Sequence, residues 1–168
     1  MMFLCEIIIL YDDIDLPDVG VFCPSYWEAQ HFDSDGDFYY YGIESRWTNL
    51  ELLKFYGDQE QSSFDVNVYR EKNRLYEPGI LEVSDLSRYI GYKNQGRYKN
   101  VDSIHQASNL CVASLCVETS RIEDYREFLM AVHTFLSHTH GRAANLKQFF
   151  TADEFMTEVI GPSPYVGN

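Results

Sequence analysis

The stretch Phe3 to Tyr11 (FLCEIIILY) restricts the fold more than any other feature of the sequence. It is nearly continuous in apolar, mostly branched residues, yet far shorter than the roughly 20 residues a membrane-crossing helix needs. A short run of this kind reads as a β-strand covered on both faces, and such a strand belongs in the interior of a sheet. A second well-marked strand is expected at Asn109 to Glu118, where the apolar run Leu110 to Val117 holds Cys111 and Cys116.

Between these two runs the signals are local. Asp12 to Gly20 is acidic and carries Pro17, which predicts a loop, with a short strand at Val21 to Cys23. Pro24 to Phe32 (PSYWEAQHF) suits two turns of helix, since proline is tolerated at the first helical positions. Asp33 to Asp37 (DSDGD) is a turn feeding an aromatic strand, Phe38 to Tyr41. Thr48 or Asn49 can cap a helix over Leu50 to Tyr56 that stops at Gly57. Phe64, Val66 and Val68 alternate with Asp65, Asn67 and Tyr69, the period of a half-exposed strand. Glu77-Pro78-Gly79 is a turn, Ile80 to Val83 a short strand, Ser84 the cap of a helix through Ile90, and Asn94 to Asn100 a loop.

The C-terminal third is the most legible. From Ser120 the apolar positions Ile122, Tyr125, Leu129, Val132 and Leu136 recur at helical spacing, widened by Phe128 and Phe135, which predicts a long helix near 121–138 with Gly141 as its stop. Thr151 followed by Glu154 has the form of a capping box for a last helix, Ala152 to Ile160. The order of elements is irregular, which favours a single α+β domain over residues 1–168, with a mixed or antiparallel sheet packed by helices, over a doubly wound sheet.

The first dozen residues lack the basic start and small-residue cleavage site of a signal peptide, and no apolar run is long enough for a membrane span, so a cytoplasmic chain is expected. Without an export signal, Cys5, Cys23, Cys111 and Cys116 read as reduced thiols, with Cys5, Cys111 and Cys116 largely buried and no disulfide.

Charge carries the functional reading. The chain has 26 acidic and 13 basic residues, a net charge of −13, which disfavours nucleic acid and anionic membranes as partners. Residues 1–45 hold ten acids (Glu6, Asp12, Asp13, Asp15, Asp18, Glu28, Asp33, Asp35, Asp37 and Glu44) and no Lys or Arg, whereas residues 70–99 hold seven bases against four acids. A one-signed region steers an oppositely charged partner and rejects others. Tyr39 and Tyr41 lie within it, and aromatic side chains supply contact area at protein interfaces. The expected partner-binding set is therefore Asp12, Asp13, Asp15, Asp18, Asp33, Asp35, Asp37, Tyr39 and Tyr41, with the 12–18 loop and the 33–37 turn close together at one edge of the sheet.

Catalytic patterns are incomplete. Asp33, Asp35, Asp37 and Glu44 occupy positions 1, 3, 5 and 12 of a calcium EF-hand loop, but the position that demands glycine holds Phe38. Asp13-Ile14-Asp15 after an apolar strand resembles the first motif of haloacid-dehalogenase-type phosphatases, but Leu16-Pro17 replaces the usual Gly-Thr. His133, His138 and His140 have no HExxH frame, and no nucleophile elbow or phosphate loop is present. No catalytic residue, metal or cofactor is expected.

This compact, acidic, aromatic-rich profile without catalytic motifs resembles the immunity proteins of bacterial toxin systems. The resemblance implies a non-enzymatic inhibitor of a cognate, basic, nuclease-type toxin. The alternatives are a protein-binding adaptor or subunit, then a metal-dependent hydrolase or a calcium-binding module.

Overall fold

The computed structural model describes residues 2–14, 28–31, 49–70, 106–144 and 149–161. These form one seven-stranded sheet, in which every strand pair is antiparallel, and two helices. In chain order the strands are β1 (Phe3–Asp12), β2 (Glu28–His31), β3 (Asn49–Tyr56), β4 (Gln59–Arg70) and β5 (Leu110–Thr119). Then come α1 (Ile122–Thr139), β6 (Arg142–Ala144), β7 (Phe149–Phe150) and α2 (Ala152–Phe155), which runs on as a π-helical turn, Met156–Ile160. The spatial order is β2-β3-β4-β5-β1-β6-β7. The fold is thus α+β, and β1 lies in the interior, as its apolar run requires.

Side-chain alternation sends the branched residues of four strands to the face under α1. Ile9 and Tyr11 of β1, Leu50 and Leu52 of β3, Phe64 and Val66 of β4, and Ala113, Leu115 and Val117 of β5 join Phe128, Val132, Phe135 and Leu136 of α1 in one buried core. Two edge-to-face ring pairs tie helix to sheet, Phe64 to Phe128 at 4.9 Å and Tyr11 to Phe135 at 5.6 Å.

The start of α1 is fastened by a buried polar chain. Arg121 caps the helix without a side-chain bond, so the contact to the sheet is made by Asp124, which is fully buried. Its Oδ1 takes the Lys54 Nζ of β3 at 2.6 Å and its Oδ2 the Ser62 hydroxyl of β4 at 2.6 Å. With the Ser62 proton committed to Asp124, the Thr119 hydroxyl is the donor in its 2.6 Å contact with Ser62, and Thr119 accepts the Arg121 N–H at 3.0 Å. Glu127 adds a second carboxylate to Lys54 at 3.2 Å. Burial lowers the Lys54 pKa, but the hydrogen bonds and charges of Asp124 and Glu127 outweigh it and leave the ammonium above its ordinary value. A buried charge is tolerable when it is paired in this way.

The helix ends in a left-handed residue, but that residue is His140 (φ 52°), one position before the expected glycine stop. The Gly141 N–H then reaches back to the Leu136 carbonyl at 3.3 Å, closing the turn. Gly141 is needed for space: a Cβ there would lie 2.8 Å from Ile9 Cγ2 and 3.0 Å from the Leu10 carbonyl oxygen. At the next helix the capping box is present, with the Glu154 N–H donating to Thr151 Oγ1 at 3.2 Å and Glu154 Oε1 accepting from the Thr151 N–H.

Two expected helices are strands where they are described. Leu50 to Tyr56 is β3, because Leu50 and Leu52 face the core and Glu51 faces away, a period of two. Gly57, read from sequence as a helix stop, has φ 65° while Asp58 has no positive φ, and Tyr56 pairs with Gln59. Those angles fit the two-residue hairpin turn that begins with glycine. Of the helix expected over Pro24 to Phe32, residues 28–31 are described, and they pair as β2 along β3. Neither β6 nor β7 was expected, and their two or three residues are too few for a periodic signal. Expectations for 15–27, 32–48 and 71–105 fall outside the described residues.

Cys111 is buried as expected, but Cys5 and Cys116 are only half-buried, and all three are free thiols. Cys5 sits near the open end of the sheet beside Tyr125, whose hydroxyl lies 4.0 Å from its Sγ, and Cys116 faces away from α1. Cys23 is outside the described residues.

Candidate functional site

Of the expected partner-binding residues, the described set includes Asp12 and Asp13. Asp15, Asp18, Asp33, Asp35, Asp37, Tyr39 and Tyr41 lie outside it, as does the proposed meeting of the two acidic segments. Asp12 ends β1, an interior strand, so it stands at an end of the sheet rather than at an edge strand. Its Oδ1 accepts the backbone N–H groups of Asp13 at 2.9 Å and of Ser108 and Asn109 at 3.1 Å each, together with the Ser108 hydroxyl at 3.2 Å. Burial alone would raise its pKa, but the bonds from Asn109, Ser108 and Asp13 prevail and hold it below the ordinary value. Asp13 accepts from Asn109 Nδ2 at 3.1 Å, and its N–H donates to the Asn109 carbonyl at 3.0 Å. Both aspartates thus tie the chain after β1 to the turn before β5, while Asp12 stays exposed as a negative charge.

The structure adds a second acidic surface, on the sheet face opposite α1. Cross-strand register builds it in rows. Leu4 of β1, Glu118 of β5, Ser63 of β4 and Leu53 of β3 are directly opposite one another in succession. The next row is Glu6, Cys116, Asp65 and Glu51. Beyond the register shift near Lys54, Phe55 is opposite Glu60. Neighbouring strands are about 4.8 Å apart, so these carboxylates are held within two or three strand spacings of each other. None of these positions is a Lys or Arg. Glu6 is held in place by the Ser114 hydroxyl, which donates to it at 2.7 Å.

The electrostatics follow from that spacing. The Asp65 pKa is raised, first by burial and then by the negative charges of Glu51, Glu118 and Glu60. The Cys116 thiol is raised by burial and by Glu6, Asp65, Cys5 and Glu118, which keeps it protonated and poorly nucleophilic. Like charges directly opposite each other in a sheet are unfavourable, and Glu51 opposite Asp65 is such a pair. Apolar side chains are exposed among these acids, Leu4 at 73 % and Phe55 at 38 %, with Tyr56 at 72 % at the hairpin tip. Arg121 stacks over the Tyr56 ring at 5.8 Å, on the α1 side of that tip. Farther along the same face Leu10, Val112 and Leu110 are fully or almost fully buried, so this face is closed at one end and open at the other.

This surface was partly visible in the sequence, where the alternation around Phe64 to Tyr69 turns Asp65 outward. Reading Leu50 to Tyr56 as a helix hid the cross-strand partner, Glu51. The Gly57-Asp58 pair between two alternating segments was the available hairpin signal.

Among the described residues one grouping has the residue types of a catalytic set. Ser62, Lys54 and Asp124 form a Ser-Lys-Asp set, but Ser62 is 2 % exposed and its hydroxyl is spent on Asp124. Among the described residues no group of three or more His, Cys, Asp or Glu is placed to hold a metal ion. Asp13 follows β1 as the phosphatase-like pattern requires, but both neighbours of β1 are antiparallel, so the crevice at the ends of parallel strands is not formed there. No described helix is long and apolar enough to cross a membrane. No protein-family model matches this sequence, and neither a curated protein nor a solved structure matches it significantly.

Proposed function

We propose that this chain is a cytoplasmic, non-enzymatic immunity protein that binds and neutralises a cognate bacterial toxin domain of basic, nuclease-type character. One observation carries the reading: residues 1–45 hold ten acids and no Lys or Arg. A nuclease must present cations to hold phosphates, and an acidic protein surface can occupy those cations. Asp12, Asp13, Asp15, Asp18, Asp33, Asp35 and Asp37, with Tyr39 and Tyr41, are the residues proposed for this contact from the N-terminal third. The exposed Leu4, Phe55 and Tyr56 also support a second reading, a non-catalytic adaptor that docks a partner without inhibiting it.

The proposal predicts that a gene beside this one encodes a toxin domain, and co-expression with that gene's product tests it. Protection of the host cell, and an association rate that falls steeply as salt is raised, are the expected results. Asp13→Lys, Asp15→Lys, Asp35→Lys and Asp37→Lys together should weaken binding. Absence of protection by the unaltered protein contradicts the immunity reading, and binding without protection favours the adaptor.

A further inference from the structure

We infer that the open end of the outer sheet face, where Leu4 and Phe55 sit among Glu6, Glu60, Asp65 and Glu118, is a docking surface for a basic protein partner. Lys or Arg side chains of that partner would pair with the acids, and an apolar side chain would cover Leu4. The inference rests on the proposal that the partner is cationic, and adds to the N-terminal acids a second place of contact and what the partner must present there.

Three features of the face argue for it. First, its charge is one-signed: the two cross-strand rows from β1 to β3 contain Glu6, Glu51, Asp65 and Glu118 and no base. Second, the repulsion is not relieved within the described residues. The Asp65 pKa is raised, first by burial and then by the charges of Glu51, Glu118 and Glu60, so its neighbours disfavour its ionised form. A partner's cations would relieve it, so part of the binding free energy is already stored as unfavourable charge in the free protein. Third, the acids surround exposed apolar area, which is the composition of an interface centre with a polar rim. The backbone of the face is also fixed, because these residues stand on paired strands whose reverse side is the α1 core. A backbone held this way loses little further freedom on binding, which leaves side-chain ordering as the main conformational cost.

The test compares two triple variants of equal charge change. Glu6→Lys, Glu60→Lys and Glu118→Lys act on the face, whereas Glu123→Lys, Asp153→Lys and Glu158→Lys act on exposed helical positions away from it. Circular dichroism melts first establish that both variants fold. If the face variant does not, Leu4→Ser with Glu118→Gln replaces it. Against the toxin domain that the proposal expects beside this gene, the face variant should lose about 100-fold or more in affinity and the helical variant less than about threefold.

Horse cytochrome c, a basic protein without toxin activity, is the second probe. In an amide-shift titration its perturbations should centre on residues 4–6, 53–60, 63–65 and 116–118. If the unaltered chain ignores the toxin domain but cytochrome c maps to this face, the immunity reading falls and the docking surface stands. Equal losses by both variants, or a cytochrome c footprint elsewhere, overturn the docking surface. So does dimerisation of the free chain that Leu4→Ser abolishes, since the face would then belong to a second copy.

Discussion

The two faces of the sheet are built from the same strands and separated by a single residue of register, yet they are opposites in their physical chemistry. Under α1, Ile9, Phe64, Val66 and Leu115 are fully buried and even the polar members, Ser62, Thr119 and Asp124, are joined in one hydrogen-bonded chain. On the outer face at the hairpin end, Glu51 stands opposite Asp65, and Leu4 is left exposed beside Glu118. The inner face accounts for the stability of the fold. The outer face forgoes some of that stability, as the proposed docking surface would.

That contrast is breakable by mutation, most severely on the inner side. Phe128→Ala removes a ring packed edge-to-face on Phe64 and is expected to cost about 3–5 kcal/mol in urea unfolding. Leu4→Ser on the outer face should stay within about 0.5 kcal/mol. Asp124→Ala removes the charged acceptor of the buried Ser62 hydroxyl and the carboxylate that lies 2.6 Å from Lys54 Nζ, at a cost of about 3 kcal/mol. Gly141→Ala forces Ile9 and the Leu10 backbone apart and should cost about 1–3 kcal/mol, whereas His140→Gly, which removes a left-handed non-glycine, should gain about 1 kcal/mol. As small as Leu4→Ser is Glu51→Gln, which removes a like-charge opposition to Asp65 and should stabilise by about 0.5 kcal/mol at neutral pH.

Proton linkage separates the outer-face Asp65 from Asp12 at the end of β1. Asp65 is raised in the folded protein, so the native state holds a proton that the unfolded chain has released. Its effect is a loss of stability as pH climbs from about 3.9 through the raised native value. Asp12 is lowered, so it contributes stability above about 3.9 that disappears as pH falls through its native value. Asp12→Asn should therefore flatten the acid limb of the stability profile, and Asp65→Asn should remove the opposing slope. Urea midpoints between pH 3 and pH 7 read both.

How much of this the sequence discloses depends on whether a signal is local. β1, β5, α1 and the Thr151 capping box are legible because each carries its own pattern: an unbroken apolar run, a helical stripe, or a capping residue with its partner three positions on. β3 is not, since LELL satisfies a short helix as well as a strand, and only its pairing with β4 decides between them. The acidic outer face was lost with it. Glu6, Glu51, Asp65 and Glu118 are spread over more than a hundred residues of chain and become neighbours only through strand register. Asp12 and Asp13 were legible as acids, but their bonds to Ser108 and Asn109 span nearly the same distance and left no local sign.

The most direct test of the account is the titration of the Asp65 carboxyl by carbon-13 NMR, in the free protein and with a saturating basic partner. The account predicts that free Asp65 titrates above the ordinary aspartate value, falls toward it in Glu51→Gln, and falls further when the partner's cations cover the face. An Asp65 that titrates at or below the ordinary value, and does not respond to either change, would contradict it.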